Sequence, residues 1–144
     1  MSPSAHTVAR DALLHHARDL GLYAHSEVWV MQPPRRPLRV DLYVYGCDHD
    51  PALAVEYKGR LINRSELRRA VTQVARYAFM LAEQFGQYVE PLIVCSRIET
   101  AVAGDPVLTP DQFRALLAER CSARECSPLL AALNTLGIEP ERAA

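Results

Sequence analysis

Between Arg39 and Lys58 lie residues able to do chemistry together: Asp41 sits in one strand-like run, and Glu56-Tyr57-Lys58 closes the next. Val40, Leu42 and Val44 alternate with Arg39, Asp41, Tyr43 and Tyr45, while Leu53, Val55 and Tyr57 alternate with Ala54, Glu56 and Lys58. Each run carries the period-two pattern of a half-buried strand. The intervening Gly46-Cys47-Asp48-His49-Asp50-Pro51 has turn chemistry, so a hairpin is expected. Pairing Tyr45 with Ala52 across it sets Asp41 opposite Glu56 and Arg39 opposite Lys58, with Cβ atoms roughly 4.5–5.5 Å apart. Two carboxylates so placed repel, and a sheet built for stability alone avoids the pair. A divalent cation between them removes the repulsion, and with the lysine this is the layout of a metal-dependent phosphodiesterase site. A slip of one residue would send the two acids to opposite faces, and Glu-x-Lys alone is also a common solvated strand edge.

Several elements must hold this hairpin in place. From about His6 to Asp19, Val8, Ala9, Ala12, Leu13 and Ala17 recur at helical spacing, and Gly21 stops the segment. Leu22 to Met31 is rich in strand formers, and Pro33, Pro34 and Pro37 mark its connection to the Asp41 strand. Ser65 with Glu66 is expected to open the next helix, with an apolar stripe of Val71, Val74, Ala75, Ala78, Leu81, Ala82 and Phe85 facing the sheet. Glu90 to Ser96 supplies a fourth strand, and the helix before it implies a right-handed parallel crossover. Thr109-Pro110-Asp111 resembles a helix start, with Phe113, Leu116 and Leu117 as its apolar face. Ser127-Pro128 opens a last helix ending near Gly137, and residues 139–144 read as a frayed tail.

Gln73 and Tyr77 lie one turn apart, roughly 95–135° from the centre of the stripe, so the core does not need them and they are free to face the acids. Taken alone, they are also a plain polar helix face. Arginines flank the acids on both sides: Arg35, Arg36 and Arg39 before Asp41, and Arg60, Arg64, Arg68, Arg69 and Arg76 after Lys58. Solvated surface explains such residues equally well in isolation. Beside a metal site they suit phosphate contacts.

With 144 residues, a single domain over 1–144 with its own core is the expectation. Hydrophobic residues at 49% and charged residues at 23% are ordinary globular usage, and no stretch is long and apolar enough to span a membrane. The start lacks a basic stretch followed by an apolar run, which makes a cytoplasmic location the expectation. A net charge of −1 excludes a globally basic nucleic-acid binder and leaves only the local arginine pattern. The four cysteines, Cys47, Cys95, Cys121 and Cys126, show no C-x-x-C spacing and read as free thiols, Cys95 being buried in an apolar run. Cys47-Asp48-His49-Asp50 resembles a zinc loop, although turn chemistry accounts for it. His15 and His16, adjacent on a helix, do not share a face and read as surface.

This pattern resembles the PD-(D/E)XK nuclease superfamily. Asp41 in Arg39-Val40-Asp41-Leu42 matches the first acidic position, Glu56-x-Lys58 the second acid and the lysine, and Gln73-x-x-x-Tyr77 the helix motif of the RecB-like branch. The resemblance covers about residues 6–96. Val40 stands where the family often has proline. It implies an α/β restriction-endonuclease-like αβββαβ core with a mixed sheet flanked by helices, plus a helical extension over about 109–138. It further implies that Asp41, Glu56 and the Tyr57 carbonyl hold Mg²⁺ or Mn²⁺. An additional acid is expected from Glu27 or Asp11, Glu27 preferred because it can flank Asp41. Lys58 would orient the attacking water, with Gln73 and Tyr77 in support, so Asp41, Glu56, Lys58, Gln73 and Tyr77 form the catalytic set. Arg39, Arg60, Arg64, Arg68, Arg69 and Arg76 would bind DNA. The expected activity is that of a metal-dependent deoxyribonuclease, acting as a homodimer or with a targeting partner protein. A non-catalytic nucleic-acid-binding or assembly module on the same fold is the alternative, and the intact acids and lysine count against it.

Overall fold

The computed structural model describes residues 4–46, 51–61, 63–98 and 107–125. The Cys47–Asp50 loop and the helix expected after Ser127 lie outside them. Helix α1 runs Ala5–Asp19. It begins where the Ser4 hydroxyl accepts a 3.1 Å hydrogen bond from the Thr7 amide, satisfying a helix-end donor. It ends at Gly21, whose φ of 86° is costly for any residue with a side chain; the Gly21 and Leu22 amides donate back to Arg18 and Ala17.

Strands β1 (Tyr23–Val30), β2 (Leu38–Tyr45) and β3 (Ala52–Leu61) form an antiparallel meander. Helix α2 (Arg64–Phe85) then crosses over to β4 (Val89–Ile98), which pairs parallel to β3. The expected αβββαβ order is therefore the observed one, an α/β arrangement with a mixed five-stranded sheet in the order β1-β2-β3-β4-β5. The short β5 (Val107–Leu108), parallel to β4, is not legible in the sequence because two residues carry no periodicity.

Helix α3 (Pro110–Glu125) opens with a reciprocal cap: the Gln112 amide donates to the Thr109 hydroxyl, and the Thr109 amide donates to the Gln112 side chain. Its Phe113 and Leu117 are fully buried with Leu13, Ala17, Leu42, Leu53 and Val94, so α1 and α3 cover one face of the sheet. Each of the leucine, valine and phenylalanine side chains contributes roughly 1.5–3 kcal/mol on burial. Helix α2 covers the other face through Ala70, Val74, Tyr77, Ala78 and Leu81.

Two expectations for α2 are corrected. Its cap is Asn63, whose side chain accepts from the Glu66 amide at 2.9 Å, so the helix begins ahead of Ser65. Its buried stripe includes Tyr77 and omits Ala75 and Phe85, both exposed; the Phe85 ring stacks on Tyr43 instead. Small Ala52 and Ala54 on the facing strand leave room for the tyrosine ring, so the residue set aside as unnecessary to the core is part of it.

Candidate functional site

The β2–β3 ladder pairs Leu42 with Val55, Tyr43 with Ala54 and Val44 with Leu53. That is the register expected from the hairpin, and its next position sets Asp41 against Glu56. There the Asp41 carboxylate itself meets β3: Oδ2 accepts a 2.9 Å hydrogen bond from the Tyr57 amide. Asp41 is thus fixed by a backbone donor, which holds its oxygen in one place.

Glu56, 7% exposed, stands beside it. Its Oε1 is 3.8 Å from Lys58 Nζ, while Oε2 is buried without a hydrogen-bond partner. Burial first, then the neighbouring Asp41 charge, push the Glu56 carboxyl up to about 8, and Lys58 offsets only part of this. At neutral pH the acid accordingly retains its proton. A buried carboxyl oxygen without a partner is costly, and a hard cation is a partner of the right chemistry.

Tyr77 faces the same pair from α2. Burial raises its pKa, the charges of Glu56 and Asp41 raise it further, and a hydrogen bond from Gln73 Nε2 at 2.6 Å acts in the opposite direction. Since the Gln73 amide donates to the phenol oxygen, the phenol proton is left to donate elsewhere. Asp41, Glu56, Lys58, Gln73 and Tyr77 are therefore gathered where the β2–β3 ladder stops, partway along both strands.

Glu27 is also where the pattern put it, between Ser26↔Leu42 and Val28↔Val40 and so opposite Asp41, but the ladder skips this position. Its φ of 53° lies in the left-handed region, an uncommon conformation for a residue with a side chain. The strands change faces here: Ala24, Leu42 and Val44 pack under α1, whereas Val28, Val30 and Val40 pack under α2. The Glu27 carboxylate is held by the buried Arg10 at 3.1 Å and approached by Arg39 at 3.7 Å. Asp11 likewise binds Arg10, at 3.0 Å.

Two residues escaped the sequence reading. His6 Nε2 is 3.7 Å from Asp41 Oδ2, and its ring packs edge-on against Tyr57 at 5.1 Å. Arg10 is 6% exposed. The available signal was the α1 face itself, since His6 and Arg10 continue the row of Leu13, Leu14 and Ala17 at helical spacing.

Among the described residues no three His, Cys, Asp or Glu side chains form a ready-made metal cage. The donors that fit a hard divalent cation are the Asp41 and Glu56 oxygens and the Tyr57 carbonyl, with His6 adjacent. The expected DNA-binding arginines divide. Arg39 is engaged with Glu27 and lies 5.8 Å from the Trp29 ring centre, whereas Arg68, Arg69 and Arg76 border one groove with Gln73 and Tyr77. Arg60 and Arg64 are exposed outside that groove.

No family model and no curated protein matches the chain. Among solved structures it is similar to a repair endonuclease from Pyrococcus abyssi, at a TM-score of 0.45 and 19% identity, over 71% of this chain. The chain spans 42% of that structure's length. No helix of the described residues is long and apolar enough to cross a membrane.

Proposed function

We propose that the chain is a Mg²⁺- or Mn²⁺-dependent nuclease that hydrolyses DNA phosphodiester bonds at Asp41, Glu56 and Lys58. The observation that carries this reading is the Glu56 carboxyl, buried beside Asp41 with one oxygen lacking a partner and a lysine 3.8 Å from the other. Two carboxyls crowded together partway along adjacent strands, one of them buried, have no value for stability, and such perturbed groups concentrate at functional sites.

Asp41, Glu56 and the Tyr57 carbonyl would hold the cation, which when bound supplies Lewis-acid polarisation of a phosphoryl oxygen and a water of lowered pKa. The residues of the chain do the rest. The Tyr57 amide keeps Asp41 in position before any ligand arrives. Glu56, raised to about 8 in the metal-free chain, would have to give up its proton to serve as a ligand to such a cation. The Lys58 ammonium, one-third exposed, would orient the water and offset charge building on the phosphate oxygens. Tyr77, with its oxygen held by Gln73, presents its proton as a donor to the substrate backbone or to the carboxylate pair. A partner protein or a second copy would supply targeting.

The test is to incubate purified protein with linear, circular, single-stranded and four-way DNA, in Mg²⁺, Mn²⁺ or chelator. Cleavage in either metal and none in chelator is the expected result. Binding of these DNAs with no cleavage under any condition would favour the non-catalytic alternative.

A further inference from the structure

Along α2 runs an open groove of about 510 Å³. One of its walls is built from two adjacent rows of the helix: Arg69, Gln73 and Tyr77 at every fourth residue, and Arg68, Thr72 and Arg76 beside them. Leu38, at the start of β2, is its apolar member. The first row ends at the tyrosine that faces Asp41 and Glu56. At 1.5 Å per residue, Arg69 lies about 12 Å up the helix from Tyr77. Arg76 is steadied by donating to Gln32 Oε1 at 2.6 Å, and Arg68 and Arg69 are exposed.

We propose that this groove holds one unpaired DNA strand and leads it to the carboxylate pair, so that the substrate is single-stranded or locally melted DNA; the inference rests on the nuclease reading above. Its cations lie in two rows on one helix face, the width of a single backbone. A duplex presents two backbones across grooves about 6 and 12 Å wide, which two rows on a single helix do not follow together. The volume is that of a small-ligand pocket, roughly 300–1,000 Å³, with space for about one or two nucleotides. Guanidinium planes and the Leu38 side chain offer faces on which unpaired bases stack, and the arginines neutralise the phosphates between them.

Fluorescence anisotropy in chelator separates binding from cleavage. An end-labelled oligothymidylate, a duplex of equal length and a salt series are compared for the native chain and for Arg69→Ala/Arg76→Ala, whose substituted side chains are exposed; unchanged melting curves check the fold. The single strand is expected to bind at least about tenfold tighter than the duplex. The double variant should lose about tenfold in single-strand affinity, with a salt slope smaller by up to about 1.4, at roughly 0.7 per single-strand phosphate contact. Equal affinity for duplex, or a variant with unchanged affinity and slope, overturns the groove assignment even if the protein cleaves DNA. Preferential single-strand binding that the variant weakens, without cleavage in Mg²⁺ or Mn²⁺, upholds the groove and refutes the nuclease reading instead.

Discussion

Replacing Glu56 by glutamine tests the electrostatics of the site without any substrate. The Glu56 carboxyl is raised from an ordinary 4.5 to about 8 in the folded chain, by burial first and by Asp41 second. In the unfolded chain it returns to its ordinary value. Between those two pH values the folded protein binds a proton that the unfolded protein does not, so stability falls as pH rises. The contribution is fully present below about pH 4.5 and is lost as pH climbs through about 8, at a limiting slope of about 1.4 kcal/mol per pH unit. Over the whole interval the loss is on the order of 2–5 kcal/mol, a large part of a domain's margin of about 5–15 kcal/mol. Glutamine keeps the size of the protonated acid and cannot ionise. Glu56→Gln should therefore match the native protein to within about 1 kcal/mol near pH 5 and exceed it by several kcal/mol near pH 9. Urea unfolding of both proteins in chelator, followed by circular dichroism at fixed ionic strength, measures the difference, and the other carboxylates cancel in it. Two parallel pH profiles, or a variant less stable than the native chain near pH 9, would refute the argument that Glu56 is a strained acid beside Asp41.

Asp41→Asn removes the other half of the repulsion while keeping an acceptor for the Tyr57 amide, so it should raise metal-free stability by about 0.5–2 kcal/mol. It should also abolish the rise in melting temperature that millimolar Mn²⁺ gives the native chain, as thermal melts with metal and with chelator would show. Gln73→Ala and Tyr77→Phe should reduce turnover less than Glu56→Gln does in single-turnover cleavage, because each contributes a single hydrogen bond in support of the acids; equal losses would rank them with the acids themselves. Phe113→Ala, at a fully buried position of α3, should cost about 3–5 kcal/mol in urea unfolding. A cost below about 1 kcal/mol would show that α3 adds little to the stability of the sheet it covers.

The register of the central hairpin was legible from Leu42 to Val44, where a period of two holds, and Tyr45 against Ala52 was enough to bring Asp41 to Glu56; Val40, expected on the face of Leu42 and Val44, lies on the other because the strands change faces at Asp41. The helix caps were partly legible: Gly21 and Thr109 act as read, but Asn63 rather than Ser65 starts α2. Tyr77 was misjudged because a helix wheel counts hydrophobic residues and cannot see that Ala52 and Ala54 leave space across the interface. The left-handed turn of Glu27 left no mark either. It falls at the point where β1 and β2 change faces and where the buried Arg10 pairs with the glutamate, both tertiary features. His6 was missed for a related reason, since only the packing of α1 against Tyr57 brings an N-terminal histidine to Asp41.

The central claim is that the carboxylate pair and Lys58 form one hydrolytic unit. Single-turnover cleavage of labelled DNA in Mn²⁺ by native protein and by Lys58→Ala, with Mn²⁺-induced thermal stabilisation measured on the same samples, tests it most directly. The variant is expected to keep the stabilisation, because Asp41 and Glu56 remain, and to lose several orders of magnitude in rate. Cleavage by Lys58→Ala at the native rate would contradict the claim.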